Sequence, residues 1–177
     1  MAHVATPAAV KQDCARHHNS HTAKGITWRG VHRQDAPAIK ALVQRAVPRS
    51  GDWELTPRTH GIAAYSRSGA LLAAVLATEP RTASEAPGLY LTVAVDLNWY
   101  GTGLAMVGLN LIHRYLAQHG INASMLFGTC TSREAPSYLN AGYHVSKPHE
   151  PIKLPGSEVP VYSPKTYHPC WFYRRFE

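Results

Sequence analysis

The run Asn98-Trp99-Tyr100-Gly101-Thr102-Gly103-Leu104-Ala105 holds the residues whose types and order most suggest chemistry. An apolar stretch over residues 89–95 leads into it, and an amphipathic stretch reaching Leu116 leads out. A strand that ends in a glycine turn and opens a helix leaves the first helical amides without internal acceptors. The helix dipole favours negative charge at the same place, so a phosphate or pyrophosphate fits there. Taken alone, the turn is equally compatible with a plain strand–helix connection. It lacks the lysine-serine/threonine ending of a nucleotide P-loop, which argues against ATP or GTP hydrolysis. Met106 stands where a dinucleotide-binding fingerprint has its third glycine. A second group, Cys14, His17, His18 and His21, has the donor types of a zinc site, but its spacing matches no standard zinc module. No metal is expected.

These residues need elements to position them. Residues 1–25 have no clean period and read as a loose N-terminal extension. Residues 26–31 read as a strand. Asp35 is expected to cap a helix with Pro37 in its first turn; Ile39, Leu42, Val43 and Ala46 form its apolar face, and Pro48 stops it. Residues 49–60 are polar and irregular, with Trp53 among them. Residues 61–66 and 70–78 read as a hairpin around Ser66-Arg67-Ser68-Gly69. Residues 89–95 are the clearest strand. Leu104, Val107, Gly108, Leu111, Ile112, Tyr115 and Leu116 line one helix face, which Gly120 closes. A strand follows at 123–129, then a helix at 131–141 with Thr131 and Glu134 spaced as a capping box. Strands opening at 143 and covering 171–176 complete the order β-α-β-β-β-α-β-α-β-β. That order predicts an α/β or α+β domain over residues 26–177, with a proline-rich segment, 148–169, before the final strand.

Composition sets bounds on function. The chain has 177 residues, 45% of them hydrophobic and 16% charged, which is a globular composition. No apolar run reaches membrane-spanning length, and residues 1–24 hold no apolar signal core. The three cysteines do not suggest a disulfide framework. A cytoplasmic location is the expectation. Eighteen Lys and Arg against eleven Asp and Glu give a formal charge of +7, which favours a polyanionic partner. Nucleic acid and coenzyme A both satisfy that.

Two motifs in order narrow the choice. The segment 98–103 resembles the Gln/Arg-x-x-Gly-x-Gly/Ala signature of the GNAT N-acetyltransferase superfamily, with both glycines present. Downstream, Tyr138-Leu139-Asn140-Ala141-Gly142-Tyr143 resembles that family's Tyr-x-x-x-Gly-Phe, with Tyr143 in the last place. The resemblance covers residues 26–145. It implies a mixed, mostly antiparallel sheet flanked by helices and an acyl-CoA donor such as acetyl-CoA. It implies that the turn Asn98, Tyr100, Gly101, Thr102, Gly103 and Leu104 binds the donor, with the amides of Gly101, Gly103 and Leu104 on the pyrophosphate. Val93 and Val95 would pair with the pantetheine arm as an added strand would. Tyr138 falls where many members keep a tyrosine that protonates the departing thiolate; its alternative reading is a core aromatic. Asn98 and Tyr100 depart from the Gln/Arg and Arg that the family favours, so phosphate binding would rest on backbone amides.

N-acylation requires a neutral amine, hence a proton acceptor. Glu79 is the candidate base, and Asp96 reads as a strand-end cap. Tyr90 and Thr92, on one face of their strand, could position water or substrate beside Trp53. The expected acceptor is a primary amine on a small molecule, peptide or protein, lying over the helix at 36–46, the 49–60 loop and the C-terminal segment. An alternative places the amine on nucleic acid, because basic and aromatic residues interleave at 167–175. A non-catalytic module that binds coenzyme A or nucleic acid is the third reading. No membrane partner is expected, and the chain would be a monomer or homodimer.

Overall fold

A computed structural model describes residues 3–82 and 85–177. Seven strands form one sheet: β1 (Thr27–Gly30), β2 (Thr59–Tyr65), β3 (Leu71–Thr78), β4 (Gly88–Val95), β5 (Met125–Cys130), β6 (His144–Val145) and β7 (Cys170–Arg175). Their spatial order is β1-β2-β3-β4-β5-β7-β6. Every neighbouring pair is antiparallel except β4–β5. The helices are α1 (Pro7–Ala23), α2 (Ala36–Ala46), α3 (Leu104–Gln118) and α4 (Ala135–Asn140). The mostly antiparallel sheet with flanking helices is the expected architecture.

The central strand β3, Leu-Leu-Ala-Ala-Val-Leu-Ala-Thr, is buried through its middle because helices cover both of its faces. On one face, Ile39, Leu42 and Val43 of α2 pack on Ala63, Ala74, Leu76 and Ala94. On the other, Leu109, Ile112 and Leu116 of α3 pack on Ile62, Val75, Ala77 and Leu91. Each such aliphatic side chain contributes roughly 1.5–3 kcal/mol of burial. Gly108 lets α3 approach the sheet closely, since a Cβ there would lie 2.6 Å from Val75 and 2.8 Å from Trp28.

The N-terminal residues correct the sequence reading. In place of a loose extension, residues 7–23 form α1. Thr6 caps it by accepting from the Ala9 amide at 3.3 Å, and Pro7 opens it. Its buried stripe is Val10, Cys14 and His21, with half-buried His17 on the same i, i+4, i+7, i+11 face. Two members of that stripe are histidines, so apolar periodicity alone gives no helix signal. The helix is tied down by packing: the Ala5 amide donates to the Leu139 carbonyl (3.0 Å), and Val10 packs against Gly142. Asp35 is a second correction. It occupies the residue before α2 but does not cap that helix. Its carboxylate accepts two bonds from Arg29, both 2.9 Å, and one from the His32 amide at 2.8 Å. The expected capping box does form, between Thr131 and Glu134 (2.9 and 3.2 Å), although α4 begins four residues after Thr131.

Residues 148–169 fold back over the sheet. An isolated bridge joins Ile152 to Val161, and the Trp171 indole donates to the Val161 carbonyl at 3.0 Å. Trp171 packs with Met125, Phe127 and Ile152 on one side of the sheet, while Phe172 joins the α3 side. Both rings are almost fully buried. They act as the core of a terminal strand, so these two rings are not available to stack on bases as the nucleic-acid alternative expected. Cys14, Cys130 and Cys170 are buried free thiols. Among the described residues no helix is long and apolar enough to cross a membrane.

Candidate active site

The site begins where β4 and β5 part. The two strands pair in parallel only from Gly88↔Met125 to Tyr90↔Phe127. Beyond that point β5 stays with β7 through Cys130, and β4 stays with β3 through Val95. Gly128 is the last close approach of the two strands: a Cβ there would lie 2.7 Å from the Leu91 carbonyl. The edge of residues 91–95 that faces β5 therefore has no strand partner, and a cleft of about 530 Å³ opens beside it. An extended chain can pair with such an edge.

One end of the cleft is the glycine turn. Asp96 caps the short 3-10 turn Leu97–Trp99 by accepting from the Asn98 amide (3.0 Å), which supports the reading of Asp96 as a strand-end cap. Gly101 and Gly103 both adopt left-handed backbone, with φ of 73° and 82°, which glycine alone adopts at no steric cost. α3 starts at Leu104, and no side chain caps it. Its first amides therefore have no side-chain acceptor. Tyr100, Gly101, Gly103 and Leu104 line the cleft together with Val93 and Val95. Asn98 and Thr102 do not. Asn98 is exposed, and the Thr102 hydroxyl donates to the Trp99 carbonyl at 2.6 Å. Helix α1 packs against the turn, and its His17 also lines the cleft. His21 bonds through Nε2 to the Thr102 carbonyl (2.7 Å), and the His17 ring lies against Gly103.

Tyr138 enters the cleft from α4, its ring stacked on Phe172 at 3.9 Å between centroids. Burial pushes its phenol well above the ordinary tyrosine value, and nearby Glu134 adds to the effect. The group therefore keeps its proton throughout the neutral range. On β4, Tyr90 lies within 3.2 Å of the Thr129 hydroxyl, and Tyr90 and Thr92 line the cleft beyond Tyr138. A second groove continues from there. Val43 of α2, Val47 just after it, Trp53, Arg58 and Thr78 are among its lining residues, and it shares Tyr90 and Thr92 with the first.

Glu79 is not brought to this place. Its carboxylate meets His60 Nε2 at 2.8 Å, and neither residue lines either cavity. Several residues that the sequence reading did not single out as site residues line the cleft, among them Lys165 and His168 from the proline-rich segment. His168 is 6% exposed. Burial, opposed by Glu134 and aided by Lys165, lowers its pKa below the usual imidazole range, so it is neutral at pH 7. His168 falls within the basic and aromatic stretch 167–175 expected on the acceptor side, whereas Lys165 carries no signal beyond its type inside a segment without periodicity. Among the described residues no group of three or more His, Cys, Asp or Glu is arranged to hold a metal.

Comparison with known proteins places this architecture. No family model and no curated protein matches the sequence. Solved structures do match. An acetyltransferase of the GNAT family from Streptococcus pneumoniae superposes with a TM-score of 0.58 at 14% identity, over 84% of this chain and 96% of that one. A GNAT family N-acetyltransferase from Escherichia coli, solved in complex with CoA, gives 0.55 at 18% identity, over 85% and 81%. A spermidine N-acetyltransferase chimera with Vibrio cholerae sequence gives 0.57 at 10% identity, over 85% and 95%. The chain has the GNAT fold.

Proposed function

We propose that the protein transfers an acyl group, acetyl in the simplest case, from acyl-CoA to a primary amine by direct attack. The observation that carries this reading is the coincidence, in one cleft, of the unpaired β4 edge, the glycine turn and Tyr138. The GNAT fold supports it, as does the CoA complex of one structural neighbour. In this reading the amides of Gly101, Gly103 and Leu104 hold the pyrophosphate at the start of α3. The backbone of Val93 and Val95 pairs with the pantetheine arm, which brings the thioester towards Tyr138.

The amine nitrogen attacks the thioester carbonyl, so that a C–N bond forms and the C–S bond breaks. The nitrogen loses its proton to the neutral imidazole of His168, which lines the cleft; Glu79, engaged with His60 outside it, is not given this role. The departing thiolate takes the Tyr138 proton. A thiolate is a stronger base than a carboxylate and needs only a weak acid such as a phenol. The acceptor lies over Trp53, Tyr90 and Thr92, where the second groove meets the first. Structural neighbours carry different named acceptors, so none is transferred to this chain.

The test is release of free CoA from acetyl-CoA across a panel of amines. Turnover with wild type and its loss in Tyr138→Phe, with CoA binding retained, is the expected pattern. CoA binding with full turnover in the variant removes Tyr138 from the mechanism. Absence of turnover with every amine sinks the enzymatic reading.

A further inference from the structure

The junction of the two cavities carries an ammonium group with no carboxylate partner. Lys165 lines both cavities, and its Nζ donates to the Tyr90 hydroxyl at 3.3 Å. Among the described residues no Asp or Glu lies within ion-pair distance of it. An ammonium has three N–H donors, and Tyr90 takes one. The position is built into the fold: the Ser163 hydroxyl donates to the His168 carbonyl at 2.6 Å, and the His168 amide donates to the Lys165 carbonyl at 3.2 Å. A tight turn thus fixes the backbone of Lys165 beside the candidate base.

A second cation without an ion-pair partner stands nearby. Arg58 lines the second groove, and its guanidinium donates to the Glu79 backbone carbonyl (3.2 Å) without meeting a carboxylate. Glu54, the carboxylate lining that groove, is already paired with Lys40. Glu134, which lines the first cavity and whose charge is felt at His168, accepts from the Thr131 amide at 2.9 Å and makes no ion pair with Lys165. Among the described residues the acceptor end therefore presents two cations, Lys165 and Arg58, with no carboxylate at ion-pair distance. Such a place repels a second ammonium and attracts an anion.

We infer that the acceptor is a primary amine carrying a carboxylate, as an amino acid does, and that Lys165 holds that carboxylate while the amine faces the thioester. This rests on the acyl-transfer reading above. A charge-assisted bond lost in such a setting reduces affinity roughly 10- to 100-fold.

The test compares several amino acids, each with its carboxamide and with the amine left when the carboxyl is removed, as acceptors with acetyl-CoA. The acids are expected to exceed both analogues by roughly tenfold or more in kcat/KM, chiefly through KM. In Lys165→Met the acid-to-amide ratio should fall towards one, and Lys165→Arg should restore much of it. Melting curves verify that each variant is folded. Preference for the uncharged analogues, or an acid preference that survives Lys165→Met, overturns the inference. A CoA melting shift on the same wild-type sample separates the two levels. Binding of CoA without acid selectivity refutes this inference alone, whereas failure to bind CoA refutes the reading beneath it.

Discussion

Replacing Gly103 with alanine tests how the glycine turn and α1 depend on each other. Gly103 sits at φ 82°, and an added Cβ would lie 2.4 Å from both Cγ and Nδ1 of His17. A comfortable contact is about 3.5–4 Å, so the His17 ring must move. Two costs follow. Placing an L side chain in left-handed backbone costs roughly 1–2 kcal/mol, and overpacking against the ring adds roughly 1–3 kcal/mol. Gly101 provides the control, because it sits at φ 73° with nothing within 4 Å of its added Cβ. Gly101→Ala should therefore show the backbone cost alone. Urea unfolding of the two variants should differ by the packing cost, and His17→Ala introduced into Gly103→Ala should recover most of that difference. Equal destabilisation by Gly101→Ala and Gly103→Ala, or no recovery on truncating His17, would refute the packing of α1 on the turn.

Four further outcomes are expected. Tyr138→Phe should lower kcat about 10²- to 10⁴-fold; because burial raises the wild-type phenol, its alkaline limb should lie above the ordinary tyrosine value. His168→Gln should slow turnover as well; if the imidazole is the base, its lowered pKa puts the acid limb that it contributes to kcat, measured with acceptor saturating, below the usual 6.5, and His168→Gln should remove that limb. The Arg29 guanidinium holds the Asp35 carboxyl down to about 2. That contribution, roughly 1–2 kcal/mol after allowing for half-exposed Arg29, is complete above the unfolded value of 3.8 and is lost as pH falls towards about 2. Asp35→Asn should remove this component of the pH dependence in denaturant melts. Lys165→Met should reduce the preference for carboxylate-bearing acceptors, read as KM ratios in the matched panel.

Much of the site's frame is legible in the sequence, for local reasons. A left-handed glycine pair between an apolar strand and an amphipathic helix is written in residue types, and it appears where residues 98–105 place it. The alternation at 171–174 separates Trp171 from Phe172 as a two-faced strand requires. Helix α1 was not legible because its buried face includes His21, whose position depends on a carbonyl 81 residues away. The acceptor side was hidden for a related reason. Lys165 and His168 reach the cleft because residues 148–169 fold back across the sheet, and no short-range period encodes that return. Glu79 looked suitable by type and strand position, but its partner is His60 across the β2–β3 pair. Asp35 looked like a cap by spacing, and the guanidinium of Arg29 takes its carboxylate instead.

The central claim is that the parting of β4 from β5 admits the pantetheine arm while the start of α3 holds the pyrophosphate. Amide hydrogen exchange, followed residue by residue with and without saturating CoA, tests both contacts at once. The account predicts new protection within residues 91–95 and at Gly101, Gly103 and Leu104. Unchanged exchange at these amides, with millimolar CoA present, would contradict it.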